Sequence, residues 1–247
     1  MNPIVITGGS RGIGASTALE CARRGLGVIL TYHSNPQAAS TVVRQIEAMG
    51  GKAVALPLDV GEVGGFEAFR VEVTGVLETT WHATQLGGLV NNAGHGSYCP
   101  IEHVTEAQFD GLMNVHLKGP FFLTQTLLPL MRQGSSIVNV ASATTRVATA
   151  GVAPYASFKG GLEVLTRYMA KEFGGRRIRV NAVSPGAIRT ELGGGLNEEF
   201  ETALAAQTAL GRVGEPAEVG RVIASLLTED GGWINAQTIE VAGGYAI

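Results

Sequence analysis

The chain reads as an α/β protein with a parallel sheet flanked by helices, and three observations point there. Seven short apolar runs recur along it: Ile4–Thr7, Val28–Tyr32, Ala53–Leu58, Gly88–Asn91, Ser136–Val140, Arg179–Val183 and Thr238–Val241. Longer segments of helical period separate them, the alternation expected of βαβ units. The first run also passes through a glycine-rich turn, Thr7-Gly8-Gly9-Ser10-Arg11-Gly12-Ile13-Gly14, directly into a helical pattern containing Ala18, Leu19 and Ala22.

The remaining elements follow from local chemistry. Asn35 followed by Pro36 is an N-cap with a helix-compatible first residue, and Gly50-Gly51 can end the same helix in the left-handed conformation. Gly193-Gly194-Gly195 precedes a polar helical segment, and a helix and strand are still needed beyond it to complete the sheet. The stretch around 190–210 therefore reads as a mobile substrate loop over a cleft within one domain spanning 1–247. Segments Phe121–Leu130 and Leu162–Phe173 are apolar either because an oligomer buries them or because helices flanking a sheet read as apolar for purely internal reasons, and periodicity does not decide between the two. No repeat, low-complexity tract or composition shift marks a second domain.

With 247 residues, 45% of them hydrophobic, the chain can bury one large core. A formal charge of -3 gives no general attraction to nucleic acid or anionic membrane, so small polar metabolites are the expected partners. Only Cys21 and Cys99 are present, too few for a disulfide framework, and a reducing, cytoplasmic setting is expected. Met1 runs directly into Pro3-Ile4-Val5-Ile6 without a basic leader, and no later run reaches membrane-spanning length. His33, His82, His95 and His103 lack compact ligand spacing, so no catalytic metal is expected.

Glycines at the end of a first strand let backbone turn tightly against a pyrophosphate, whose charge the following helix terminus favours. Gly8, Gly12 and Gly14 are the key positions, in a G-x-x-x-G-x-G spacing that departs from G-x-G-x-x-G. An NAD site would place a carboxylate about 20 residues on. Here the chain reads Tyr32-His33-Ser34-Asn35, leaving room for a 2′-phosphate held by Arg11, Ser34 and His33. NADP(H) is thus the preferred cofactor, with NAD(H) able to enter.

Tyr155 and Lys159 stand four apart and share a helix face, which places an ammonium beside a phenol. A phenol with an ordinary pKa near 10 needs such a charge to exchange protons near neutrality. Ser142 follows the strand Ile137–Val140, at the edge where α/β sheets bind ligands, and its hydroxyl can bond a substrate carbonyl.

These motifs, in order, resemble the short-chain dehydrogenase/reductase family over essentially the whole chain. They are TGGSRGIG at Thr7–Gly14, Asp59-Val60, NNAG at Asn91–Gly94, Ser142, Tyr155-Ala-Ser-Phe-Lys159 and Pro185-Gly186. The resemblance implies a Rossmann-like, doubly wound, seven-stranded parallel sheet with helices on both faces, and hydride transfer between NAD(P) and an alcohol/carbonyl pair. It implies cofactor contacts from Gly8, Ser10, Arg11, Gly12, Ile13, Gly14, Val60, Ala93, Gly94, Pro185 and Gly186. It further places Asp59 at the adenine amino group, Asn92 and Lys159 at the nicotinamide-side ribose, and Ile188 and Thr190 at the carboxamide. Tyr155 becomes the general acid, Ser142 orients the carbonyl, and Lys159 lowers the Tyr pKa and holds ribose. Among subgroups the chain looks most like the 3-oxoacyl carrier-protein reductases, and the resemblance implies a homotetramer built through the two apolar helices.

Two departures stand out. Counting from Asn92 places His116 where the family often has a proton-relay asparagine, and imidazole can bond similarly while adding a pH dependence. Val241-Ala242-Gly243-Gly244 lacks an aspartate that many relatives carry before the paired glycines, a change expected to touch the C-terminal interface. His95 and Tyr98 are expected to line the substrate cleft. Lys171, Arg176, Arg177 and Arg179 could steer an acidic carrier protein bearing an acyl thioester, or simply form a solvated helix end. The expected activity is NADPH-dependent reduction of a ketone, aldehyde or 3-oxoacyl thioester. Alcohol oxidation, a catalytically silent NADP-binding regulator and a sugar-nucleotide epimerase or dehydratase remain the alternatives.

Overall fold

The computed structural model describes residues 3–247. Seven strands form one sheet: β1 (Ile4–Ile6), β2 (Val28–Tyr32), β3 (Ala53–Pro57), β4 (Leu86–Asn91), β5 (Met131–Val140), β6 (Arg179–Pro185) and β7 (Thr238–Val241). They lie in the order β3-β2-β1-β4-β5-β6-β7, every pair parallel. The chain winds outward from β1 in one direction, then restarts beside it at β4. That reversal opens a crevice at the C-terminal ends of β1 and β4.

Among the described residues eight α-helices flank the sheet: α1 (Gly12–Arg23), α2 (Pro36–Ala48), α3 (Phe66–Val76), α4 (Glu106–Met113), α5 (Gly119–Leu127), α6 (Ala153–Phe173), α7 (Glu198–Ala206) and α8 (Pro216–Leu227). The strands are apolar on both faces because helices cover both. Ile4 and Ile6 of β1 point to one side, with Ala18 and Cys21 of α1, Ile46 of α2 and Ile223 of α8. Val5, between them, points to the other, with Phe69 and Val73 of α3, Leu123 and Leu127 of α5 and Met169 of α6. Strand periodicity of two therefore divides the core into two layers.

Local signals act as expected at α2, where Asn35 Oδ1 accepts from the Ala38 N–H at 2.9 Å and Gly50 takes a φ of +78°. Strand limits differ from the sequence reading where the pattern is interrupted. β5 starts at Met131 rather than Ser136, because Met131 pairs with Leu86 across a register shift before Gly88 meets Ser136. The polar and glycine residues inside that irregularity hide the strand from a hydrophobic pattern. β6 continues to Pro185, since Ser184 and Pro185 still pair with Glu240 and Val241. The 190–210 stretch carries a short helical turn at Leu192–Gly194 and then α7, capped by Asn197 Oδ1 on the Phe200 N–H at 2.8 Å. Among the described residues no helix is long and apolar enough to cross a membrane.

A buried polar ladder fixes α6 against the sheet. Asn91 Nδ2 donates to Asn139 Oδ1 at 2.8 Å and to Thr124 Oγ1 at 3.2 Å, and Asn139 Nδ2 donates to Thr166 Oγ1 at 2.8 Å. These groups join β4, β5, α5 and α6 with almost no exposure to water, so each bond resists a large desolvation cost. Asn139→Ala leaves the Asn91 amide without its main acceptor and is expected to cost about 2 kcal/mol of stability. Urea denaturation of the two proteins measures it.

Candidate active site

The glycine turn emerges from the crevice at β1. Gly8 has a φ of +63° and Gly12 one of +54°, conformations L side chains rarely adopt. A Cβ on Gly14 would lie 2.2 Å from the Gly8 carbonyl oxygen and 2.5 Å from Asn92 Nδ2, so only glycine lets the turn close this tightly. Arg11 precedes α1 without a side-chain cap, and no acidic residue occupies the first turn, leaving a helix N-terminus suited to an anion. Glycine backbone plus an uncapped helix start fits a dinucleotide pyrophosphate.

Thr7 and Asn92 hold this cradle together. Thr7 Oγ1 donates to the Val90 carbonyl at 3.2 Å and accepts from the N–H groups of Asn92 at 2.9 Å and Ala93 at 3.0 Å. Asn92 Nδ2 donates to the carbonyls of Thr7 at 2.8 Å and Gly8 at 3.1 Å. Both amide hydrogens of Asn92 are thereby committed to the glycine turn, leaving Oδ1 as the group that could accept a bond from a ligand. Sequence reasoning gave Thr7 no role; its signal was its place at the head of the TGGSRGIG motif.

On the adenosine side, His33 and Ser34 follow β2, and Asp59 and Val60 lie beyond β3. His33 Nε2 lies 3.3 Å from Asp59 Oδ2, while Arg11 Nη1 donates to Glu191 Oε2 at 3.2 Å. The sequence reading grouped Arg11, His33 and Ser34 around one phosphate; here His33 faces Asp59 and Arg11 faces Glu191. Both contacts are exposed, and exposed pairs are worth about 0–1 kcal/mol, less than a charge-assisted bond to a phosphate. Val60 is buried, with its carbonyl against Gly119, where a Cβ would come within 2.2 Å of the oxygen.

On the far side, Pro185 ends β6 and the Gly186 N–H donates to the Val241 carbonyl at 3.2 Å. Ile188 bridges to Gly214, and Thr190 Cγ2 lies 3.5 Å from where a Gly12 Cβ would stand, so this loop closes over the glycine turn. Ala242, where relatives often carry aspartate, packs on Gly186, whose Cβ would lie 2.7 Å from the Ala242 Cβ. The departure thus touches the cofactor-side loop as well as the C-terminal region to which the sequence reading assigned it.

Ser142, Tyr155 and Lys159 converge at the end of β5. Thr144 Oγ1 donates to Ser142 Oγ at 2.9 Å and the Thr144 N–H does so at 3.3 Å, leaving the Ser142 hydroxyl hydrogen to be shared between the Tyr155 phenol oxygen and an incoming carbonyl. Lys159 Nζ donates to the Val140 carbonyl at 2.6 Å and stands 5.7 Å from the centre of the Tyr155 ring. Burial pushes the Tyr155 phenol above its ordinary range, with the Ser142 hydroxyl pulling the other way. The sequence reading has Lys159 lower this pKa. In the structure the ammonium lies over the ring and on a backbone carbonyl, and desolvation dominates. Burial also lowers the Lys159 ammonium to about 8.

His116 lies in a π-helical turn, Asn114–Lys118, between α4 and α5, a distortion that often marks functional sites. Its ring meets the Tyr155 ring edge-on at 4.9 Å and the His95 ring at 5.4 Å. Nε2 lies 2.8 Å from the His95 carbonyl, which can only accept, so Nε2 carries the hydrogen and Nδ1 is a bare acceptor. Nδ1 is buried without a hydrogen-bond partner among the described residues. Burial first, then the Lys159 charge, holds the imidazole down to about 2. The near-neutral titration expected from the sequence is therefore absent, because the pocket is too dry for the cation.

The arginine group falls away from this site. Arg176 donates to the carbonyls of Leu128 and Met131, and Arg179 to those of Leu226, Thr228 and Ile234. Arg179 opens β6 at the N-terminal edge of the sheet, opposite the catalytic edge. A cavity of about 780 Å³ beside Arg132, Arg177, Arg179 and Trp233 lies at that far edge too. This placement removes Arg176 and Arg179 as guides for a carrier protein toward Ser142.

A doubly wound sheet with a glycine cradle at its switch point and a Ser, Tyr and Lys group beside it defines a dinucleotide-dependent oxidoreductase of C=O and CH–OH groups. A family model described as enoyl-(acyl carrier protein) reductase matches residues 8–246. An uncharacterized oxidoreductase of Methylorubrum extorquens is 36% identical over 244 residues, covering 97% of this chain and 96% of that protein. A probable tetrahydroxynaphthalene reductase of Zymoseptoria tritici is 33% identical over 255 residues, covering 97% and 92%. The crystal structure of the angucycline C-6 ketoreductase LanV with bound NADP aligns with a TM-score of 0.95 at 35% identity, covering 99% of this chain and 95% of that one. The chain belongs to the short-chain dehydrogenase/reductase family.

The His116 environment has a measurable consequence for stability. Its folded pKa, about 2, lies below the ordinary 6.5, so the unfolded chain takes up a proton that the folded one refuses. Stability is present above pH 6.5 and is lost as pH falls from 6.5 toward 2. A His116→Gln variant is expected to show a flatter fall in melting temperature between about pH 7 and pH 4 than the wild type. Thermal unfolding across that range tests it.

Proposed function

We propose that the protein reduces a ketone to an alcohol with NADPH, using Tyr155 as the general acid. The observation that carries this reading is the convergence of buried Tyr155 with Ser142 and Lys159 at the crevice, Lys159 Nζ standing 5.7 Å from the centre of the Tyr155 ring. At the crevice the phenol stands beside a serine hydroxyl and an ammonium, a placement from which it can give a proton to the oxygen that gains charge as hydride reaches the carbonyl carbon. When bound, NADPH supplies the hydride for the carbonyl carbon. Ser142, whose oxygen already accepts from Thr144, donates its own hydrogen to the carbonyl oxygen and orients it. Tyr155 delivers its proton to that oxygen as negative charge develops there. Lys159 holds ribose and provides positive charge that stabilises the resulting phenolate.

His116 acts as the relay group in neutral form: Nε2–H anchors it to the His95 carbonyl and Nδ1 accepts from a water linked to Lys159. The Gly8–Gly14 cradle and Asn92 hold the pyrophosphate and ribose, Asp59 the adenine edge, and Ile188 and Thr190 the carboxamide. Arg11 and Ser34 take the 2′-phosphate, in line with the NADP bound by LanV. Assembly into a tetramer uses the α5 and α6 faces, where Phe121, Val164 and Tyr168 are exposed. The named relatives act on a tetrahydroxynaphthalene and an angucycline, so the substrate is a ketone on a fused-ring frame.

Three expected outcomes test the reading. Tyr155→Phe lowers kcat for carbonyl-dependent NADPH oxidation by about 10²–10⁴-fold while NADPH affinity stays within about twofold. In the wild type, kcat/KM holds up to pH about 8 and falls above it as Lys159 loses its charge. Arg11→Ala raises the KM for NADPH by about tenfold and leaves that for NADH nearly unchanged, because only the former has the phosphate to lose. Initial rates with both cofactors decide the third.

A further inference from the structure

The loop following β4 is fixed at two points. His116 Nε2–H donates to the His95 carbonyl at 2.8 Å, and the Cys99 N–H donates to the Gly151 carbonyl at 2.7 Å. Tyr98 lies between these ties and is 73% exposed. One edge of its ring rests on Gly151, where a Cβ would lie 2.3 Å from Cε2 and 2.6 Å from Cδ2 and Cζ. Gly151 has a φ of +80° and stands four residues before Tyr155, while His95, three residues before Tyr98, meets the His116 ring that in turn meets Tyr155, so both ties of the loop lead to the neighbourhood of the catalytic group. The backbone on either side of this large exposed ring is thus tied by hydrogen bonds, and one edge of the ring rests on Gly151.

Scattered exposed apolar side chains need no explanation, but this one is preorganised at a cleft. A ring whose backbone is already fixed loses little freedom on binding, and tyrosine brings a broad flat surface with few rotatable bonds. Its free face accepts a second ring in an offset stack. We propose that Tyr98, seated on Gly151, is the subsite that stacks the flat aromatic portion of the substrate while the carbonyl reaches Ser142. This assignment rests on the reductase reading for the identity of the carbonyl end. It makes the substrate a planar fused-ring ketone, and it makes Gly151 the residue that sets the position of the platform. The Tyr98 hydroxyl has no hydrogen-bond partner among the described residues, so the ring alone carries the contact.

Binding and turnover are measured separately. In the Tyr155→Phe background with NADPH present, calorimetry compares phenanthrenequinone, a flat tricycle, with diacetyl, an acyclic diketone. Adding Tyr98→Ala is expected to weaken phenanthrenequinone about tenfold, equivalent to about 1.4 kcal/mol, leaving diacetyl within about twofold. Tyr98→Phe keeps the affinity, and Gly151→Ala, which displaces the ring, reproduces the loss. With Tyr155 intact, Tyr98→Ala raises KM for the tricycle by about tenfold with kcat within about twofold. Failure of the tricycle to bind, an unchanged affinity in Tyr98→Ala, or an equal loss for diacetyl overturns the proposal. A Tyr98-dependent affinity without any turnover supports the subsite while rejecting the reductase reading; turnover indifferent to Tyr98 does the reverse.

Discussion

The clamp between Thr7 and Asn92 is the constraint on which the site depends. Strands β1 and β4 are neighbours in the sheet but lie far apart in sequence, and their ends must stay in register for the crevice between them to keep its shape. One threonine hydroxyl and one asparagine amide span that join with five hydrogen bonds. Because the amide also grips the Gly8 carbonyl, the same bonds set the curvature of the anion-binding turn. The absence of a Cβ at Gly14 lets the amide come so close.

A second layer of organisation is desolvation. Lys159 and Tyr155 are carried into the interior by α6, whose seating depends on the ladder from Asn91 through Asn139 to Thr166. Burial then moves the phenol and the ammonium in opposite directions, up for the acid that loses a proton to become charged and down for the one that is charged with it. Burial by itself weakens the phenol as an acid, so the donor role proposed for Tyr155 depends on the neighbouring Ser142 hydroxyl and Lys159 ammonium to offset it. The His116 imidazole obeys the same rule and is kept uncharged.

Legibility differed between parts of the chain. The Tyr155 and Lys159 pair was readable because an i, i+4 spacing has one geometric meaning on a helix. The phosphate turn was readable because its glycines follow an apolar strand. The start of β5 was not, since the register shift at Gly88 breaks the alternation that marks a strand. Glu191 opposite Arg11 and the His95 carbonyl beneath His116 were also out of reach, because each is a contact between segments distant in sequence.

The sequence by itself determined the class of fold, the order of its elements and the side chains proposed for catalysis, because strand and helix periods, glycine turns and helical spacing are local properties. Only the tertiary structure decided the protonation of those side chains, the tautomer of His116, the commitment of Asn92 to the glycine turn and the removal of Arg176 and Arg179 to the opposite edge. Those features depend on which groups are packed together and how much water reaches them, and neither is encoded by any short stretch of chain.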